Sequence, residues 1–260
     1  MSKRFIYGFV VGLALLTVAG VGASRRHQRD VKGERDRAEL AQYKAEIVDA
    51  TEVQLGELTQ RERIHGALYA YRSLTGNRTI RDLVRNAGGK VLGINVLTGQ
   101  GPAFIEPQTP ESYFGELVRA SDAVIRGRVT KKLSQVTEDG AFIFTDYDME
   151  LREVLKNSSA IPLAIGATIT VTRPGGKVVT DGIVVKASDQ AFGPLPLDGR
   201  TVLLFLRYIP ETGAYRATRD VGAFEADGAS ILPLTAVRFP PGVLRDGDSL
   251  LRMVREISSR

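Results

Sequence analysis

The sequence predicts a mainly β protein: a small antiparallel β domain behind an N-terminal transmembrane helix and a helical linker, closed by a C-terminal helix. Three observations predict it. An uncharged apolar run heads the chain, and the last residues return to helical spacing. Between them, from Thr109 onward, short segments of period-two alternation are divided by Asp-Gly and Pro-Gly turns. The expected divisions are 1–29 for the anchor or signal segment with its basic flank, 30–108 for a helical stalk or linker, and 109–260 for the β domain with its terminal helix.

Phe5–Ala23, FIYGFVVGLALLTVAGVGA, is nineteen residues without a charge, between Lys3-Arg4 and Arg25-Arg26. A helix needs roughly 20 apolar residues to cross a bilayer. Two readings stand: a single-pass anchor, favoured by length, or a signal segment cleaved after Val21-Gly22-Ala23. Arg25, Arg26, Arg29 and Lys32 form a basic collar suited to anionic headgroups. That collar alone would keep the rest of the chain cytoplasmic. The character of the β domain argues for the extracytoplasmic side instead, or for secretion after cleavage at Ala23.

The net charge of +5 belongs to this end of the chain. Residues 1–37 hold eight of the 35 Lys and Arg and three of the 30 acids, which leaves 27 of each over 38–260. Nucleic-acid binding rests mainly on neutralised phosphates, so no nucleic-acid partner is expected for a neutral domain. The chain has no cysteine, which excludes disulfides, thiolate metal sites and thiol nucleophiles.

From Asp30 to about Leu74, Leu40, Tyr43, Ile47, Ile64, Leu68 and Tyr71 fall at three- and four-residue steps, with Gly56 and Gly66 dividing the pattern into pieces. A helix is expected over Thr79–Ala87 and a strand over Val91–Leu97. Gln100–Pro110, with three prolines, reads as a loop. Gly99-Gln100-Gly101 lacks the third glycine and the helix of a phosphate-cradling turn.

The β domain opens on a helix capped by Thr109 with Pro110 in its first turn. Strands are then expected over Ala123–Leu133, Ile143–Leu155, Ala167–Arg173, Val178-Val179, Ile183–Ala187, Thr201–Ile209, Ala214–Thr218, Ala223–Glu225 and Ser230–Leu232. TVLLFLRYI at 201–209 is almost continuously apolar, as a strand buried on both faces must be. Leu250, Leu251, Val254 and Ile257 give Ser249–Ile257 an apolar side. A small, closed or half-open barrel of OB type fits this order, with a β-sandwich as the alternative.

In the first hairpin, Glu138-Asp139-Gly140 reads as a three-residue loop with glycine left-handed. That register sets Lys132 opposite Asp146, Thr130 opposite Asp148 and Arg128 opposite Glu150. Asp146, Asp148 and Glu150 are the only candidate metal ligands, since hard cations take oxygen donors. Neutralisation by Arg128 and Lys132 accounts for the same three acids without a metal, so no metal and no cofactor are expected.

A-S-D-A-V-I-R-G-R-V at 120–129, T-D-Y at 145–147, R-E-V-L-K-N at 152–157, T-V-T-R-P-G-G at 170–176, L-L-F-L at 203–206 and G-A-Y at 213–215 together resemble uncharacterised bacterial exported or membrane-anchored proteins. The resemblance implies an OB-like, tissue-inhibitor-like barrel over about 110–226. Those motifs mark turns and core strands, so they speak to fold and not to a site. Protease inhibition by that architecture depends on an N-terminal cysteine, which this chain lacks.

Only His27 and His65 are present, one in the basic collar and one in a polar helical stretch, and neither suggests a hydroxyl–imidazole–carboxylate set. The expectation is therefore a non-enzymatic, membrane-tethered domain, its partners the bilayer through 5–23 and a protein or envelope component. The alternative is a carboxylate-dependent hydrolase using Asp146, Asp148 and Glu150.

Overall fold

The computed structural model describes residues 34–70, 78–96, 109–189, 192–218, 222–227, 230–234 and 247–259. The expected anchor at 5–23, its basic collar and most of the proline-rich loop lie outside the described residues. Among the described residues, no helix is long and apolar enough to cross a membrane.

The chain divides into two units, Met1–Val48 and Asp49–Arg260. Within the first, residues 34–47 form helix α1. The second is mainly β, with two sheets. Its elements are β1 (Thr51–Glu52), α2 (Gln60–Ala67), α3 (Ile80–Arg85), β2 (Val91–Val96), α4 (Pro110–Ala120), β3 (Ala123–Val136) and β4 (Ile143–Asn157). They continue with β5 (Thr168–Pro174), β6 (Gly176–Thr180), β7 (Ile183–Asp189), β8 (Thr201–Ile209), β9 (Ala214–Ala217), β10 (Ala223–Asp227), β11 (Ser230–Pro233) and α5 (Gly247–Ser258).

The first correction concerns 30–108. Its described part after Val48 is not a separate stalk, because β1 adds in parallel to β6 and β2 adds in parallel to β7, giving the four-stranded order β1-β6-β7-β2. The unit therefore begins at Asp49 and not at 109. Two residues of β1 carry no readable alternation, and β2 finds its partner about ninety positions downstream.

The larger sheet has the order β11-β10-β8-β3-β4-β5-β9. It curls until β9, paired in parallel with β5, also meets Leu206–Ile209 of β8. The Val202–Leu204 part of the same edge is taken by β10, and the sheet is not a closed barrel. Three parallel pairings also make the arrangement less uniformly antiparallel than expected.

Bulges produce the curl, since each inserts an unpaired residue and bends the strand. Leu155 and Arg152 are extra on β4, and Thr130 is extra on β3. The register expected for the hairpin holds for Arg128 and Glu150, then slips by one at Thr130. Asp146 therefore lies opposite Leu133, and Asp148 opposite Lys131. The slip turns Leu133 outward and Ser134 inward, where it hydrogen-bonds Thr145. The loop spans four residues, 138–141, closed by Thr137 N donating to Phe142 O. Gly140 is left-handed, as read.

Three apolar clusters hold the second unit. One lies inside the curl, built from alternate residues such as Ile125, Met149, Val171, Leu204 and Tyr215. A second sits on the outer face under α4 and α5, where Phe114, Phe205 and Phe224 meet with ring centroids 5.5–6.0 Å apart. TVLLFLRYI alternates between these two clusters, which is why nearly all of it is apolar. The third packs Leu68 and Tyr69 after α2, helix α3 and the four-stranded sheet against the loop end of the hairpin. There Gly176, at φ +147°, admits no side chain: a Cβ would stand 2.2 Å from Thr145 Oγ1.

Candidate functional site

Helix α2, QRERIHGA, has almost no apolar residue, and its place is set by its ends. Thr59 caps it in a capping box with Glu62: Glu62 N donates to Thr59 Oγ1, and Thr59 N donates to Glu62 Oε2 at 2.7 Å. Gln135 Nε2 of β3 donates to the other Glu62 oxygen at 2.9 Å. At the far end Gly66 lets the helix approach the Phe144 ring, where a Cβ would come within 3.2 Å. Tyr69, one turn beyond, donates its hydroxyl to the Thr172 carbonyl at 2.9 Å. Burial pushes that phenol well above its usual range.

These contacts set His65 against the sheet with 0% of its surface exposed. Its Nδ1 lies 2.9 and 2.8 Å from the two carboxylate oxygens of Asp146 on β4. Its Nε2 lies 2.8 Å from Oγ1 of Thr212, in the turn between β8 and β9. Arg61 Nε approaches Asp146 at 3.9 Å from the solvent side. Helix, strand and turn thus meet at one imidazole with both nitrogens engaged.

In connectivity this is a hydroxyl–imidazole–carboxylate relay, an arrangement that neither histidine suggests from its neighbours in the chain. Its geometry suits a brace better than a reaction centre. The imidazole is fully covered, so the Thr212 hydroxyl is the one group that it could serve as a base. The N–H groups of Thr212 and Gly213, the nearest backbone donors along the turn, both donate to the Ile209 carbonyl. They are not free to hold a developing oxyanion. The Thr212 hydroxyl can donate or accept, so the contact is satisfied in either protonation state of the ring.

Asp146, Asp148 and Glu150 do not converge. Asp146 faces His65, Asp148 accepts from Thr170 Oγ1 at 3.0 Å, and Glu150 accepts from Arg152 at 2.9 Å. Of the two expected cation partners, Arg128 stays opposite Glu150, whereas Lys132 joins Lys177 on Asp49, at 2.7 and 2.8 Å. Burial opposes ionisation of Asp49, but the two ammonium groups hold its carboxyl below the usual range. Among the described residues, no group of three or more His, Cys, Asp or Glu is placed to hold a metal ion. His27 and the collar residues Arg25, Arg26, Arg29 and Lys32 lie outside the described residues.

One readable signal pointed toward the site. Thr59-x-x-Glu62 is a capping-box pattern that announces a helix start five residues before the histidine. The convergence itself, across 81 and 147 positions, left no trace in spacing.

No family model matches the chain. No curated protein matches it significantly either.

Proposed function

We propose that the protein is a membrane-tethered, non-enzymatic binding domain, its β unit an OB-like half-open barrel presented to a protein or envelope component on the extracytoplasmic side. The observation that carries this reading is the engagement of its chemistry-bearing side chains. His65 is sealed between Asp146 and Thr212, and Asp148 and Glu150 each serve a neighbour on the sheet. The tether rests on Phe5–Ala23 and its basic flank. The OB-like reading is supported by the ring of pairings β3-β4-β5-β9-β8 with β5 and β9 parallel, and by the resemblance across 110–226.

A carboxylate-dependent hydrolase would need two acids to flank one scissile bond, each free to reach it. Asp146, Asp148 and Glu150 each serve another partner instead. Site-specific photo-crosslinking from exposed positions of the full-length protein in its own membrane tests the proposal. The expected result is a discrete adduct confined to one face, in wild type and in Asp148→Asn alike. No adduct from any face, together with substrate turnover abolished by Asp148→Asn, would overturn it.

A further inference from the structure

The connection from β4 to β5 is unlike the rest of the surface. Residues 157–172 form a run of sixteen without a charge, the longest after the N-terminal segment in a chain where one residue in four is charged. At its centre, Ala160-Ile161-Pro162-Leu163-Ala164-Ile165 has no polar side chain at all. Leu163 packs into the cluster inside the curl. Its neighbours two positions either way turn outward: Ile161 is 38% exposed and Ile165 72%, the latter the most exposed large apolar side chain described in the unit 49–260.

This is a built loop. Asn157 Nδ2 donates to the Ile161 carbonyl at 3.0 Å, and Ser159 Oγ, 2.6 Å from Asn157 Oδ1, also meets the Tyr215 hydroxyl at 2.9 Å. At the other foot Gly166 N donates to the Leu151 carbonyl, and Leu151 N donates to that of Ala167. Two isoleucines are therefore held out in water by polar contacts at both feet of the loop.

The geometry points to this loop as a membrane prong, whose Ile161 and Ile165 insert shallowly into the interface of the bilayer to which the chain is tethered. The inference rests on the tethered reading above. Three observations select lipid as the occupant. Stable protein interfaces engage roughly 20–30 residues a side, whereas the outward apolar residues here are five, Ala160, Ile161, Pro162, Ala164 and Ile165. Two exposed isoleucines on one loop need a complementary hollow on a protein but none on a bilayer. The missing charges remove the largest penalty for entering the interface. Two side chains cannot hold a free protein on a membrane, but a tether supplies the local concentration that makes a weak contact effective.

The cysteine-free chain makes the test direct. The full-length protein is reconstituted in vesicles of phosphatidylcholine and phosphatidylglycerol, with an environment-sensitive fluorophore on Ile165→Cys, on Glu138→Cys in the β3–β4 loop, or on Ala14→Cys in the apolar run. Lipid-borne quenchers are then added. The expected result is a blue-shifted probe at 165 quenched at least twofold, a probe at 138 that remains in water, and a quenched probe at 14. Quenching at 14 without quenching at 165 overturns the prong and leaves the tether standing. Quenching at 165 without quenching at 14 upholds the loop's contact with lipid and refutes the tether. A blue shift at 165 without lipid quenching means that a second copy of the chain covers the loop, which also overturns the inference.

Discussion

Two helical covers on the same curled sheet are held in opposite ways. Helices α4 and α5 seal the outer face with apolar side chains: Phe114, Leu117, Leu250, Leu251 and Val254 are buried there, and the ion pairs of Arg255 with Glu153 lie at the rim. Helix α2 has no apolar stripe and is held by a capping box, a glycine contact and one buried imidazole. The first kind of docking follows from burial of area, which is non-directional and announces itself as helical periodicity. The second follows from matched donors and acceptors, which are worth little when made and much when left half-made.

That contrast orders what substitution should do. Phe114→Ala removes a fully buried ring packed on Phe205 and Phe224, and about 3–5 kcal/mol of stability should go with it, read by urea unfolding. His65→Ala strips the partner from a largely buried carboxylate and from the Thr212 hydroxyl. The expected loss is about 2–3 kcal/mol, large for a helix with so little apolar surface. A smaller loss at His65 than at an exposed residue of α5 would dissolve the contrast.

Glu153→Gln should cost about 1 kcal/mol, because the ion pairs that it breaks with Arg255 and Arg126 are partly solvated. Its pH dependence sharpens the comparison. The hydrogen bond from Arg255, with help from Arg126 and against burial, holds the Glu153 carboxyl below its usual range. A carboxyl depressed in the folded state stabilises fully above the ordinary carboxylate range. That contribution fades as pH falls from about 4 through the folded value. Wild type should therefore lose stability over that acid window more steeply than Glu153→Gln. Smallest of all, Asp148→Ala and Glu150→Ala should each change stability by no more than about 0.5 kcal/mol, since both sit on a partly solvated sheet face.

The same contrast explains what was legible in the sequence. Thr201–Ile209, the Thr109 cap with Pro110, the left-handed Gly140 and the apolar side of α5 were readable, because each is dictated by local spacing or by a residue that suits one conformation. The slip at Thr130 was not: a bulge moves the register by one without changing composition, and it undid two of the three expected cross-strand pairs. The parallel additions of β1 and β2 were hidden by short length and distant partners, so 49–96 read as linker. His65 was hidden most completely. A lone histidine in a polar helix has the same pattern whether it faces solvent or closes a brace between Asp146 and Thr212.

The measurement that bears most directly on the central claim is a double-mutant cycle between His65→Gln and Thr212→Val, read by unfolding free energy alongside an esterase and peptidase panel. A structural brace predicts a coupling of about 1 kcal/mol between the two substitutions and no hydrolytic rate lost by either. Additive stabilities, together with an activity that both substitutions abolish, would contradict the account and make the imidazole a catalyst.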